Sequence, residues 1–288
     1  MHTSIKIIEC PRDAMQGWPA MISTEHKVEY INQLLSIGFD TIDVGSFVSQ
    51  KAIPQMADTS EVLRRINWQT SASSLLTIVA NVRGAEEASA FEQVQYLGYP
   101  FSVSETFQQR NTNAGIEDSF ERLRAIHAIS ESAQKTMVVY LSMGFGNPYG
   151  DPYDESVVLA WAERIASLGI RIISLADTVG LATAPQVGRV TAHLITSLPG
   201  IEIGVHLHSS PANRAEKINA ALDAGCQRFD GAIRGIGGCP MAGDALVGNM
   251  DTGWMVQAFR QKGIDLGLDP DKLHEAERLA ASIFTDHS

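Results

Sequence analysis

Eight short apolar runs punctuate this sequence, and each leads into a longer amphipathic stretch. The runs read as strands at Ile5–Glu9, Thr41–Val44, Leu75–Ala80, Val94–Val103, Met137–Met143, Ile172–Leu175, Ile203–His208 and Arg228–Ala232. Helical periodicity lies between them, at Thr24–Ile37, Met56–Ile66, Ala85–Phe91, Ile116–Ser132, Glu155–Leu168, Pro185–Ser197 and Ala212–Ala224. Two more helices follow at Asp251–Lys262 and Asp269–Phe284. Strands that alternate with helices pair in parallel, because each crossover helix returns the chain to the same end of the sheet. Three helix-to-strand junctions, SIGFDTIDV, SLGIRIISL and DAGCQRFDG, repeat one device. Each carries a glycine (Gly38, Gly169, Gly225) where the helix stops, the residue best suited to a left-handed cap. Eight such units in about 250 residues suit a closed α/β TIM barrel, (β/α)8. An open doubly wound sheet is the alternative, although no G-x-G-x-x-G follows the first strand to support its dinucleotide-binding form. No linker or low-complexity stretch divides the chain, so residues 1–288 are expected to form a single catalytic domain with an extra C-terminal helix.

Charge and cysteine usage exclude several function classes. The 22 basic residues are outnumbered by 33 acidic ones, a net charge of -11. Nucleic acid and anionic membrane surfaces are therefore not expected partners, since both demand a basic excess. No apolar run approaches the ~18 residues of a membrane helix, and the opening MHTSIKIIECPRD has no signal-peptide pattern. Cys10, Cys226 and Cys239 are too few and too scattered for a disulfide scaffold. The expected location is the cytoplasm.

In a barrel, chemistry gathers at the C-terminal ends of the strands. Glu9-Cys10-Pro11-Arg12-Asp13 leaves the first strand, His206 and His208 end the seventh, and the glycine-rich GIGGCPMAGDALVGN follows the eighth. In a closed barrel these three segments are neighbours. Two imidazoles two residues apart on a strand share a face, and a metal ion is the common partner of such a pair. Separately hydrogen-bonded histidines are the plain alternative. Asp13 and Asn249 could complete a two-nitrogen, two-oxygen ligand set. Each taken alone would read as a turn or cap residue. These donors leave the metal open among Zn²⁺, Fe²⁺, Ni²⁺, Mg²⁺ and Mn²⁺. Arg12 can hold an oxyanion or enolate with parallel donors, or can form a structural ion pair with Glu9. Cys239, between glycine and proline, can serve as a general acid or base in a closing loop, or be an inert turn residue. Cys10 and Cys226 read as buried. Asp43, Ser174 and Asp177, at the ends of strands two and six, could form a second polar layer or cap turns.

Several motifs then resemble one family. Pro11-Arg12-Asp13-Ala14-Met15-Gln16 is similar to the P-R-D-G-x-Q opening of the metal-dependent lyase branch of TIM-barrel enzymes. SFVSQKAIPQMAD (46–58), SLADTVG (174–180), VHLH (205–208) and GGCPMAGDALVGN (237–249) resemble, in order, segments of the 3-hydroxy-3-methylglutaryl-CoA lyase family. The resemblance spans nearly the whole chain. It implies one Mg²⁺ or Mn²⁺ per chain, held by Asp13, His206, His208 and Asn249. It also implies a catalytic group of Arg12, Cys239, Asp43, Asp13 and His206, with Arg12 stabilising an enolate and Cys239 moving protons. Asp43 stands where these lyases usually have glutamate. The implied reaction is retro-Claisen cleavage of an acyl-CoA to acetyl-CoA and acetoacetate, as in leucine breakdown and ketone-body formation. Lys51, Arg110 and Asn113 are candidate coenzyme A contacts, and a homodimer is the expected assembly. Departures occur at Ala14 (usually Gly), Ser209 (often Asp), Asn147 (often Cys) and Gly253 (commonly Glu). The competing readings are a related metal-dependent aldolase or acyl-CoA condensing enzyme, and a barrel that binds without catalysing.

Overall fold

A computed structural model describes residues 5–238 and 247–285. Eight parallel strands close into a barrel: β1 (Lys6–Glu9), β2 (Thr41–Phe47), β3 (Ser74–Val79), β4 (Val94–Ser102), β5 (Thr136–Ser142), β6 (Ile172–Ala176), β7 (Glu202–His206) and β8 (Arg228–Gly231). Closure is explicit in the register, where β1 pairs with β2 through Ile8 and Thr41 and with β8 through Lys6 and Arg228. The open sheet is thereby excluded. β2 is buried along its whole length, as expected of a strand covered on both faces.

The helices form where their caps and apolar faces dictate. Ser23 Oγ accepts from the His26 N–H at the start of the helix Thr24–Leu35, and Asp154 Oδ1 does the same for the Ser156 and Val157 N–H groups ahead of Glu155–Ser167. The three junction glycines have φ of +99°, +100° and +91°, so the left-handed cap read from sequence is present at each. The C-terminal helix Pro270–Ile283 lies along Thr24–Leu35, and Phe284 packs edge-on against Trp18 and Tyr30. Among the described residues no helix is long and apolar enough to cross a membrane.

Three local readings change. Pro11–Gln16 is a short helix where a loop was expected. Its proline sits at the first helical position, where a missing N–H costs nothing, but six residues are too few to show a periodic face. Glu105–Thr112 is a further helix, capped by Ser104 Oγ, whose polar sequence hides it. The segment expected as Met56–Ile66 splits into a 3-10 turn, Pro54–Met56, and a helix, Thr59–Arg65.

Candidate active site

Proline at the head of Pro11–Gln16 turns the chain sharply as it leaves β1, which brings Arg12 and Asp13 over the barrel mouth. Asp13 Oδ1 accepts from Arg12 Nη1 and Gln16 Nε2, both at 2.8 Å, and Oδ2 accepts from Asn249 Nδ2 at 2.7 Å. His206 is the last residue of β7. Its Nε2 lies 3.9 Å from Asp13 Oδ2, while Nδ1 lies 3.2 Å from Asp230 Oδ2. His208 is beyond the strand, so strand alternation does not place it. Instead residues 248–250 run antiparallel beside 207–209: Ser209 N donates to Gly248 O, Met250 N to Leu207 O, and His208 bridges Asn249. The two imidazole centroids end 5.5 Å apart. The loop passes so close that a Cβ on Gly237 would stand 2.6 Å from Asn249 Nδ2 and 2.8 Å from the Asp13 carbonyl, so only glycine fits.

These groups suit a divalent cation. Ligand atoms of Asp13, His206 and His208 all lie within 4.8 Å of one another. Asn249 Nδ2 donates to both Asp13 and the Ile236 carbonyl, which turns Oδ1 the other way, and that oxygen is buried with no partner. A buried, unpaired acceptor beside two imidazoles and a carboxylate calls for a cation. Burial lowers His208 to about 4, with His206 adding to the effect, so it presents a neutral, ligand-ready ring. Asp13 is held at about 2: burial alone would raise it, but Arg12 and the histidines outweigh burial. His206 is raised, because its bond to Asp230 and the charges of Asp230 and Asp13 overcome the opposing effect of burial. Asp230 thus fixes the ring through Nδ1 and leaves Nε2 for the cation. Cys10 also lies near His206 and Asp230, and burial pushes its thiol well above the usual range.

Arg12 does not pair with Glu9. Its Nε and Nη2 donate to Asp43 Oδ2 at 2.9 and 2.6 Å, and Nη1 goes to Asp13. Burial opposes its charge, but the two aspartates prevail and raise its pKa. Burial raises Asp43 to about 6 despite Arg12. Glu9 instead accepts from Ile233 N at 2.9 Å and Thr252 Oγ1 at 2.6 Å, and burial raises it to about 8. Arg12, Asp13, His206 and His208 line one end of a cavity of about 640 Å³. Its far wall includes Arg110 and Asn113 from the helix Glu105–Thr112 and its end. Lys51 is exposed between Ser49 and Ala52, which line the cavity, but is not itself in the lining. Asn113 is also the left-handed cap of its helix. Cys239 lies outside the described residues.

Two of the departures, Asn147 and Gly253, have local explanations. Asn147 Oδ1 accepts from the N–H groups of Tyr149 and Asp151, tying a turn together. Space beside Gly253 is taken by an acid from another element, since a Cβ there would meet Glu277 Oε1 at 2.1 Å. Asp251 caps the helix Thr252–Gln261 and pairs with Arg214. Ser174 Oγ is buried without a partner, and Asp177 binds Lys217. Sequence reasoning missed Asp230 and Lys217, gave Gln16 only as part of the PRDAMQ motif, and offered Glu9 only as a partner of Arg12. The signal for Gln16 was its spacing of three from Asp13 on a helix; for Asp230, an acid between Phe229 and Gly231 inside a strand that also carries Arg228 and is buried throughout.

The sequence matches the HMGL-like family model over residues 5–280. It is 32% identical over 273 residues to the rat protein named 3-hydroxy-3-methylglutaryl-CoA lyase, cytoplasmic, covering 94% of this chain and 79% of that one. The crystal structure of the HMG-CoA lyase of Bacillus subtilis superposes with a TM-score of 0.92 at 31% identity, covering 98% of this chain and 94% of the other. An HMG-CoA lyase from Acinetobacter baumannii, solved with coenzyme A and 3-methylmalate, gives 0.91 at 30% identity, covering 98% and 91%.

Proposed function

The chain belongs to the HMGL-like family, and on that footing we propose that it is a divalent-metal-dependent carbon–carbon lyase that cleaves 3-hydroxy-3-methylglutaryl-CoA to acetyl-CoA and acetoacetate. One observation carries this reading: Asp13, His206 and His208 converge beside a buried, unpartnered Asn249 Oδ1, with Arg12 at their edge. Asp13, His206, His208 and Asn249 would hold Mg²⁺ or Mn²⁺, one per chain. When bound, the cation acidifies a hydroxyl that it ligates, so that its proton can be lost near neutral pH.

The remaining roles fall to the chain itself. Loss of the hydroxyl proton lets the C3–O bond become a carbonyl while the C2–C3 bond breaks. The electron pair moves onto the thioester as an enolate, leaving acetoacetate. Arg12 lines the cavity with its fork already aimed by Asp43 and Asp13, so it meets the developing enolate oxygen with little reorganisation. Asp43 holds Arg12 through two hydrogen bonds to its Oδ2. We assign Cys239 the proton delivered to C2, which completes acetyl-CoA; the thiolate left behind recovers the proton that the C3 hydroxyl lost, so no net proton is consumed. Coenzyme A would cross the mouth toward Arg110 and Asn113, with Lys51 at the rim. The buried, unpaired thiols of Cys10 and Cys226 support a cytoplasmic setting. The products suit leucine breakdown or ketone-body formation, and we take the working unit to be a homodimer of single-domain chains.

The test is an assay of the purified protein with the CoA thioester, with and without Mg²⁺ or Mn²⁺. Metal-dependent, equimolar acetyl-CoA and acetoacetate are the expected result. Cleavage of a free hydroxy acid with none of the thioester would instead favour an aldolase of the same barrel.

A further inference from the structure

A second buried charge pair lies behind the cation ligands, and the reaction described above does not use it. Lys217 projects from the helix Arg214–Asp223, its side chain 2% exposed, and it does not line the active-site cavity. Its Nζ donates to Asp177 Oδ2 at 2.6 Å, to the His208 carbonyl at 2.8 Å and to the Gly180 carbonyl at 3.4 Å. The three ammonium hydrogens therefore each have an acceptor, as a buried lysine requires. Asp177 reaches the other histidine: its backbone N–H donates to the His206 carbonyl at 2.9 Å, while Oδ1 accepts from Ala182 N at 3.0 Å. One buried pair thus grips the peptide groups of both imidazole ligands from the side opposite the cavity.

We propose that Lys217 is a positioning residue for the cation site: with Asp177, it fixes the peptide groups of His206 and His208 and so aims both rings. A side chain can be held to a fraction of an ångström only if the backbone that bears it is held too. His208 lies beyond the end of β7, where a single antiparallel bridge to Asn249 replaces the strand ladder, and Lys217 adds the bond to its carbonyl. The buried ammonium takes as one of its acceptors the carbonyl of a ligand residue, so satisfying the charge also pins the His208 peptide. The proposal rests on the reading of Asp13, His206, His208 and Asn249 as cation ligands.

The experiment titrates the metal-depleted full-length protein with Mn²⁺ by calorimetry and records its metal-free thermal midpoint separately. Lys217→Met removes the donor but leaves Asp177 buried and charged, which endangers folding. The Asp177→Asn, Lys217→Met double variant removes both charges and keeps the backbone bond to His206, so it decides the matter if the single variant does not fold. Both variants should bind Mn²⁺ about 10- to 100-fold more weakly than wild type, the usual scale for loss of a group that orients a ligand. Lys217→Arg, which keeps a charged donor, should recover part of that loss. A variant whose midpoint falls while its Mn²⁺ affinity stays within twofold of wild type would overturn the positioning role. Failure of the wild-type protein to bind Mn²⁺ would overturn the ligand assignment itself, and the role of Lys217 with it.

Discussion

The two sides of the barrel mouth are built differently. Where β1, β7 and β8 meet, Asp13, His208 and Asn249 are 6%, 3% and 2% exposed, and hydrogen bonds link Asp13 to Arg12, Gln16 and Asn249. Across the cavity, Arg110 and Asn113 are exposed, and the Arg110 guanidinium rests 4.6 Å over the Tyr149 ring. The first side has rigid strand ends, buried charges and mutual support. The second is one short polar helix at the rim. Bond cleavage tolerates little misplacement of its catalytic groups, whereas holding the long handle of a substrate does not demand it. Substitutions on the two sides should therefore differ in kind as well as in size.

The largest effect is expected at the ligands. Asp13→Ala, His206→Ala and His208→Ala should each lose bound metal and nearly all turnover together, and Asp13→Ala also strips the imidazoles of their counter-charge. Metal analysis of the purified variants checks this. Wild-type stoichiometry in the double histidine variant would erase the distinction between the two sides.

Arg12→Gln comes next. If the guanidinium meets charge that develops only in the transition state, as proposed, kcat should fall by about 10²–10³, or ~2.7–4 kcal/mol, with KM little changed. The substitution also leaves Asp43, which is 0% exposed, without its charge partner. Steady-state kinetics with folding checked by circular dichroism would reveal a merely structural arginine as a stability loss with normal kcat.

Cys239→Ala should reduce turnover by about 10²-fold, the scale of positioned acid–base catalysis, while metal binding is unchanged. Because Cys10 and Cys226 are buried, a thiol reagent should modify Cys239 first, and saturating substrate should slow the accompanying loss of activity. Full activity after alkylation mapped to Cys239 would send the proton by another route.

The same contrast governs what could be read before folding. Strand ends are legible because period, glycine caps and chain order fix them. Asp13, His206 and Asn249 could therefore be brought together from the barrel topology alone, and all eight strands fall where the apolar runs put them. His208 was included for the wrong reason: it lies off the strand, held by residues 248–250 and Lys217. Lys217 and Glu9 escaped because their buried partners lie on other elements, which no local pattern encodes, and Asp230 because its partner His206 stands on the neighbouring strand. The helix Glu105–Thr112 escaped because its sequence, ETFQQRNT, has hardly any apolar face. Its order depends instead on Ser104 and Thr106, which both bond Asp151.

The smallest effect belongs to that helix. Arg110 is exposed, and an exposed charge–charge contact is worth at most about 1 kcal/mol, which is roughly fivefold in affinity. Arg110→Ala should therefore raise KM for the CoA thioester by no more than about fivefold and leave kcat unchanged. Asn113→Ala should do less to KM but cost stability, since its left-handed conformation caps the helix and asparagine tolerates that conformation better than alanine. Added salt should weaken wild-type substrate binding and leave Arg110→Ala less sensitive, because screening acts on the same contact that the substitution deletes. KM measured across a salt series for both proteins separates the cases. Parallel salt slopes with equal KM would place the coenzyme elsewhere on the rim, with Lys51, or Arg122, which also lines the cavity, the next residue to change. A large loss of kcat in Arg110→Ala would show that the exposed side also holds the reacting carbon in place, and that the division of labour across the mouth is less sharp than its burial suggests.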